Sequence, residues 1–140
     1  MNTEKAIKEK FYSFSKEMNE WEVETKKKYD EIGMTNYAQV AGENLKVIYK
    51  KYLTNKDRKL GRQSVPNAGF PPEYDPQQET IQNISIDGNK AIIETKWVHP
   101  ANQNFAVIYR YTMKLQNGEW LLDTKKKYSK GADKWSNIVF

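Results

Sequence analysis

The chain has 140 residues, of which 38% are hydrophobic and 13% aromatic, too rich a mixture for a disordered segment, while 29% charged residues and a mean hydropathy of −0.91 require a very polar surface. That length suits one domain over residues 1–140 that buries a core without covalent staples. The chain has no cysteine, which excludes disulfides and thiolate chemistry. Its first ten residues hold no apolar targeting segment, and nowhere do about 18 apolar residues run together, so a cytoplasmic protein without a membrane partner is expected.

The net charge of +5 and pI of about 9.2 raise the question of nucleic acid. A nucleic-acid surface needs basic residues gathered on one face or interleaved with aromatics. Here Lys26, Lys27 and Lys28 fall late in a helical pattern, where lysines suit the negative end of the helix dipole. Lys125, Lys126 and Lys127 alternate across a strand pattern and split between its faces. No nucleic-acid partner is expected.

Over residues 3–31 the apolar positions Ile7, Phe11, Phe14, Met18, Trp21, Thr25 and Tyr29 recur at spacings of three and four, the mark of one long amphipathic helix, with Thr3 placed to cap its start and Gly33 to end it. A second helical stretch runs from residue 35 or 36 to about 53 and contains Gly42, which suggests a bend or a close crossing. Residues 55–78 show no period and hold Pro66, Pro71, Pro72 and Pro76. A loop that long is uncommon inside a domain. Its Phe70 and Tyr74 either fold back over the sheet or serve recognition, and a short extra strand is expected around residues 60–65.

From residue 79 the pattern changes to alternation. Ile84 and Ile86 lead to Asp87-Gly88-Asn89, and Ala91, Ile93, Thr95 and Trp97 follow, giving one hairpin. A second spans residues 105–128 around Asn117-Gly118. With a two-residue turn there, Leu115 faces Trp120, Met113 faces Leu122, Tyr111 faces Thr124 and Val107 faces Tyr128. That register places Tyr109, Tyr111, Thr124 and Lys126 on the inner face, and Ile108, Arg110, Leu121, Asp123, Lys125 and Lys127 on the outer one. Trp135, Ile138, Val139 and Phe140 are too apolar for a free tail and are expected to dock. Helices first and strands after give an α+β class, with a long helix and a second helix packed on a curved antiparallel sheet.

A single histidine and no cysteine exclude nitrogen- or sulfur-ligated zinc, and no phosphate-cradling or nucleophile-elbow motif occurs, so no metal and no cofactor are expected. His99 precedes a proline in a polar turn and reads as a solvated loop residue. General-base catalysis in the hollow would need a carboxylate beside a tyrosine. Glu94 and Asp123 point to the other face, though Glu73, Asp75 or Glu79 could reach over the rim.

Two helices, a long loop and two aromatic-lined hairpins resemble the nuclear-transport-factor-2-like cone, a cystatin-like roll. Residues 14–22 (FSKEMNEWE), the strand Tyr109-Arg110-Tyr111, residues 119–125 (EWLLDTK) and Asp133-Lys134-Trp135 are similar to the immunity proteins of bacterial polymorphic toxin systems. The resemblance implies a non-enzymatic protein that binds and occludes a cognate toxin domain. Candidate contacts are Glu17, Glu20 and Glu24 on the outer side of the first helix, and Phe70, Glu73, Tyr74 and Asp75 in the loop. The alternative is a small-ligand carrier, or a cofactor-free isomerase or dehydratase, using a cavity lined by Trp97, Tyr109, Tyr111 and Thr124. The outer sheet face, with Ile108 and Leu121, also offers a surface for pairing two copies.

Overall fold

The computed structural model describes residues 2–58 and 61–140. Helix α1 (Thr3–Ile32) and helix α2 (Met34–Tyr52) precede strands β1 (Glu79–Asp87), β2 (Lys90–His99), β3 (Asn102–Gln116), β4 (Glu119–Ser129) and β5 (Lys134–Ile138). The strands form one antiparallel sheet in the order β1-β2-β3-β4-β5. The fifth strand is the form in which the apolar C-terminal segment docks.

At 30 residues, α1 is about 45 Å long. Its expected stripe is the one it buries: Ile7, Phe11, Phe14, Met18, Trp21 and Thr25. Asn2 rather than Thr3 caps the start, its side chain accepting from the Lys5 N–H at 3.2 Å. Gly33, at φ 90°, both ends α1 and opens α2, a backbone state that an L side chain adopts only with strain. The two helices are joined there by a single residue.

Gly42 marks a close approach, though not one between helices. A Cβ at this position would stand 2.7 Å from the backbone oxygen of Gln63 in the long loop. Of the strand expected around residues 60–65, Leu60 lies outside the described residues. Residues 61–65 form a turn, with the Ser64 N–H donating to the Gly61 carbonyl at 3.0 Å.

Both hairpin turns are two residues long. Gly88 sits at φ 60°, and Asn117 and Gly118 at 52° and 81°, as tight turns matching the strand twist require. Leu115 faces Trp120 and Met113 faces Leu122, as the turn dictates. The register then slips. Thr112 pairs with Thr124 and Tyr111 with Lys125, leaving Asp123 as the extra residue of a β-bulge. Every side chain of β4 beyond Asp123 therefore lies on the face opposite to the expected one, while Asp123 itself stays outside. Thr124 leaves the interior and hydrogen-bonds Thr112 outside, Tyr128 stacks outside on Trp135, Lys126 points outward, and Lys125 enters the core.

The end of α2 holds the bulge in place. Leu53 bridges to Leu122, the Thr54 N–H donates to the Leu122 carbonyl at 2.8 Å, and the Thr54 hydroxyl donates to Asp123 Oδ1 at 2.6 Å. Lys56 and Lys114 also lie 3.1 and 3.5 Å from the Asp123 carboxylate.

Gly42→Ala tests the loop-to-helix contact. In an open helix this change would gain about 1 kcal/mol. Here the new methyl meets loop backbone, and a net loss of about 1 kcal/mol or more is expected in urea unfolding. An increase in stability would show that the loop does not lie on α2.

Candidate functional site

The inner face of the sheet and the buried stripe of α1 share one core. Phe11 meets Tyr111 edge to face at 4.9 Å between ring centroids, and Phe14 does the same with Tyr74 at 5.3 Å and Phe140 at 5.9 Å. Phe11, Phe14 and Met18 have no exposed surface and Trp21 only 6%. Those side chains occupy the hollow in which a carrier or isomerase would hold its ligand.

Within this core lies a polar cluster that links helix, loop and sheet. Glu22, one turn beyond Met18, accepts from the Glu73 and Tyr74 N–H groups at 3.0 and 2.8 Å and from the Arg62 guanidinium at 2.7 Å. Arg62 also reaches Glu73 at 3.3 Å and lies over the Trp21 ring. The Lys125 ammonium, with no exposed side-chain surface, donates to Glu73 Oε1 and to the Tyr74 hydroxyl, both at 3.1 Å. It stands 4.2 and 4.3 Å from the ring centres of Tyr74 and Tyr109. Glu79, facing inward at the start of β1, accepts from Thr95 at 2.5 Å and from Tyr111 at 2.8 Å.

The charges in this cluster are balanced by position. Burial works against the Lys125 cation, but Glu73 and Glu79 outweigh it and its pKa is raised. Burial likewise works against the Glu73 anion, but Lys125 and Arg62 hold its pKa below the usual value. For Glu22 and Glu79 burial prevails and the pKa is raised, in spite of Arg62 for the first and Lys125 for the second. A carboxyl beside a tyrosine hydroxyl therefore does occur in the interior, supplied by Glu79 and not by Glu94 or Asp123. With Tyr111 wholly buried and Glu79 1% exposed, the pair is closed to a substrate.

The residues singled out from the sequence fall into three groups. Trp97, Tyr109 and Tyr111 do face the interior, while Thr124 does not. Tyr74 is buried, and Glu73, its side chain 37% exposed, is paired with Arg62 and Lys125. Asp75 caps its own turn through the Gln77 N–H at 2.9 Å. Glu17 is bonded to Lys51 at 2.7 Å and to the Tyr52 hydroxyl, whose pKa burial and this carboxylate raise to about 12. Glu20 and Glu24 line a shallow groove between α1 and α2, and Phe70 remains 82% exposed.

Glu22, Arg62 and Lys125 escaped the sequence reading. Glu22 could have been found: Phe11, Ser15, Met18, Glu22 and Thr25 continue the same three-and-four spacing, and a carboxylate on that stripe needs a buried partner. Lys125 carried no such signal, because the bulge reverses its face.

Two substitutions test the cluster. Lys125→Met leaves Glu73 and Glu79 without their shared cation and is expected to cost about 3–5 kcal/mol in urea unfolding. Glu79→Gln keeps an oxygen acceptor for Thr95 and Tyr111. Because the folded protein holds the Glu79 proton above the ordinary value of 4.5, wild-type stability falls as pH rises from 4.5 through the folded value. The difference between variant and wild type should therefore move in the variant's favour between about pH 4 and about pH 7. A difference that does not change with pH would show that Glu79 is ionised in the fold.

A family model described as NTF2 fold immunity protein matches residues 5–138. The chain is also similar to Immunity protein RhsIA of Dickeya dadantii (strain 3937), 36% identical over 132 residues that cover 94% of this chain and 91% of that protein. No solved structure matches the chain. No described helix is long and apolar enough to cross a membrane, and the described residues hold no cluster suited to a metal. Two helices on a five-stranded antiparallel sheet, with the hollow closed by their own side chains, agree with that likeness in sequence, and the chain belongs to the NTF2 fold immunity protein family, whose role is non-enzymatic.

Proposed function

We propose that the protein binds a cognate toxin domain and neutralises it by occlusion, as one copy of each in a stable complex in the cytoplasm. Membership of an immunity family and likeness to Immunity protein RhsIA support the immunity role. The observation that carries the mechanism is the closed interior. Phe11, Phe14, Met18 and Tyr111 leave no room for a substrate, and the buried carboxylates of Glu22 and Glu79 are held by hydrogen bonds from within the chain. Neutralisation therefore proceeds from the outer surface, by contact with the toxin and not by chemistry on it.

Co-expression with a toxin domain from the neighbouring reading frame is the direct test. Protected growth and a complex of the two proteins that survives gel filtration are expected. Protection without a complex, or a complex without protection, would refute occlusion.

A further inference from the structure

The outer face of the sheet carries an arrangement that its own stability does not explain. Lys90 on β2 lies directly opposite Lys114 on β3, and Arg110 on β3 directly opposite Lys126 on β4. Like charges set opposite one another weaken a sheet, and natural strands usually place opposite charges there. With Lys96, which faces outward opposite Ile108, five cations share this face with Asp87, Glu94 and Asp123. The carboxylates relieve only part of the repulsion: Glu94 bonds Arg110 at 2.9 Å and Asp123 lies 3.5 Å from Lys114. Lys90 has Asp87 opposite it across the β1–β2 turn, but Lys90, Lys96 and Lys126 form no ion pair among the described residues.

Between the two like-charged pairs runs a row of uncharged side chains, Ser85, Ile92, Thr112 and Thr124. These residues border a depression of about 630 Å³. Ile92 keeps 44% of its surface exposed. On the row beyond Arg110, its guanidinium stacks 4.1 Å above the Trp135 ring, and Tyr128 packs beside that ring. A central uncharged row with the exposed Ile92, cations around it and an Arg-Trp-Tyr group make the composition of a protein-binding surface.

From this we infer that the outer sheet face is where the toxin domain docks, and that the toxin presents an acidic surface there. The inference rests on the occlusion reading above. Charge complementarity selects the occupant. A second copy of this chain would set the excess of cations on this face against an equal excess, a juxtaposition that costs affinity. A nucleic acid would leave Ile92, Ile108 and Leu121, which lie on three separate rows of this face, without apolar contact, since its backbone is met by cations and hydrogen-bond donors. An acidic protein surface with an apolar centre satisfies both parts of the face, and it gives the net charge of +5 a purpose.

The test uses the full chain and the purified toxin domain. In the variant combining Lys90→Glu, Lys114→Glu and Lys126→Glu, affinity is expected to fall at least 100-fold, while Glu20→Lys with Glu24→Lys on the helical side leaves it unchanged. Because charge reversal at Lys114 also disturbs Asp123, a second measurement avoids it. The chain has no cysteine, so Ile92→Cys places a unique thiol in the central row, and its alkylation should slow at least tenfold when the toxin domain saturates the protein. If wild type binds the toxin while the triple variant binds equally well, or while alkylation is unaffected, the docking face is refuted and occlusion stands. If wild type binds no toxin, occlusion itself fails and this face falls with it. Protection of the thiol by the protein's own concentration, or by DNA or RNA in place of the toxin, also overturns the inference.

Discussion

A lysine ammonium without exposed surface is the constraint on which the rest of this structure depends. Lys125 occupies a position in the core where a strand of this composition would ordinarily place an aliphatic residue, and an unpaired cation there would be very costly. It is tolerated because Glu73 arrives from the loop, Glu79 from the first strand, and the faces of Tyr74 and Tyr109 surround the remaining surface. Each of these groups has to be held in place, and each is. Glu22 grips the backbone at Glu73 and Tyr74, Asn19 holds the Tyr74 carbonyl at 2.8 Å, and Arg62 neutralises Glu22 and Glu73 together. The long proline-rich loop is thereby fastened across the cone by charge, hydrogen bonds and two aromatic rings.

The same fastening decides what the molecule can do. A cone whose sheet curves around a helix is open to two uses, depending on whether the hollow is left empty or filled. Here α1 fills it from one side, and the loop, with Tyr74, fills it from another. Glu79 and Tyr111 form a pair that an enzyme of this shape could have exploited, but the pair bonds inward and water-borne ligands do not reach it. The exterior is then the surface that the proposed function uses: the helical side presents Glu20 and Glu24, and the sheet side presents an excess of cations. Under the occlusion proposed above, the chain needs a rigid surface more than a reactive one, and the buried network supplies the rigidity.

Stability and recognition pull in different directions on the two faces of one strand. On the inner side of β4, Lys125 is matched with partners on every side. On the outer side Lys126 stands opposite Arg110 with no acid of its own. Consecutive residues of similar chemistry thus do opposite work: one locks the core, and the other contributes to a field that projects outward. Alternation along the strand makes this possible, and the bulge at Asp123 determines which lysine does which.

How far the chain could be read without coordinates follows from the range of the forces involved. The stripe of α1, the glycine between the helices, the two-residue turns and the inner faces of β1, β2 and β3 were legible, because each rests on a period or on a backbone preference contained within a few neighbouring residues. So was the kinship, since the residues that recur in it lie on those regular elements. The face of Lys125, the outward turn of Thr124 and Tyr128, and the inward reach of Glu79 were not. The first two follow from a single inserted residue in β4, held by the end of α2, where Thr54 bonds Asp123 from 69 positions away, and the third from a register shift in β1 between Ile81 and Asn83 that sets Glu79 opposite Trp97. No local pattern encodes a contact of that span. The sequence by itself determined which elements form and which surfaces are greasy, through short-range periodicity. Only the tertiary structure decided which charges are buried, because a slip of one residue in a strand reverses every side chain that follows it.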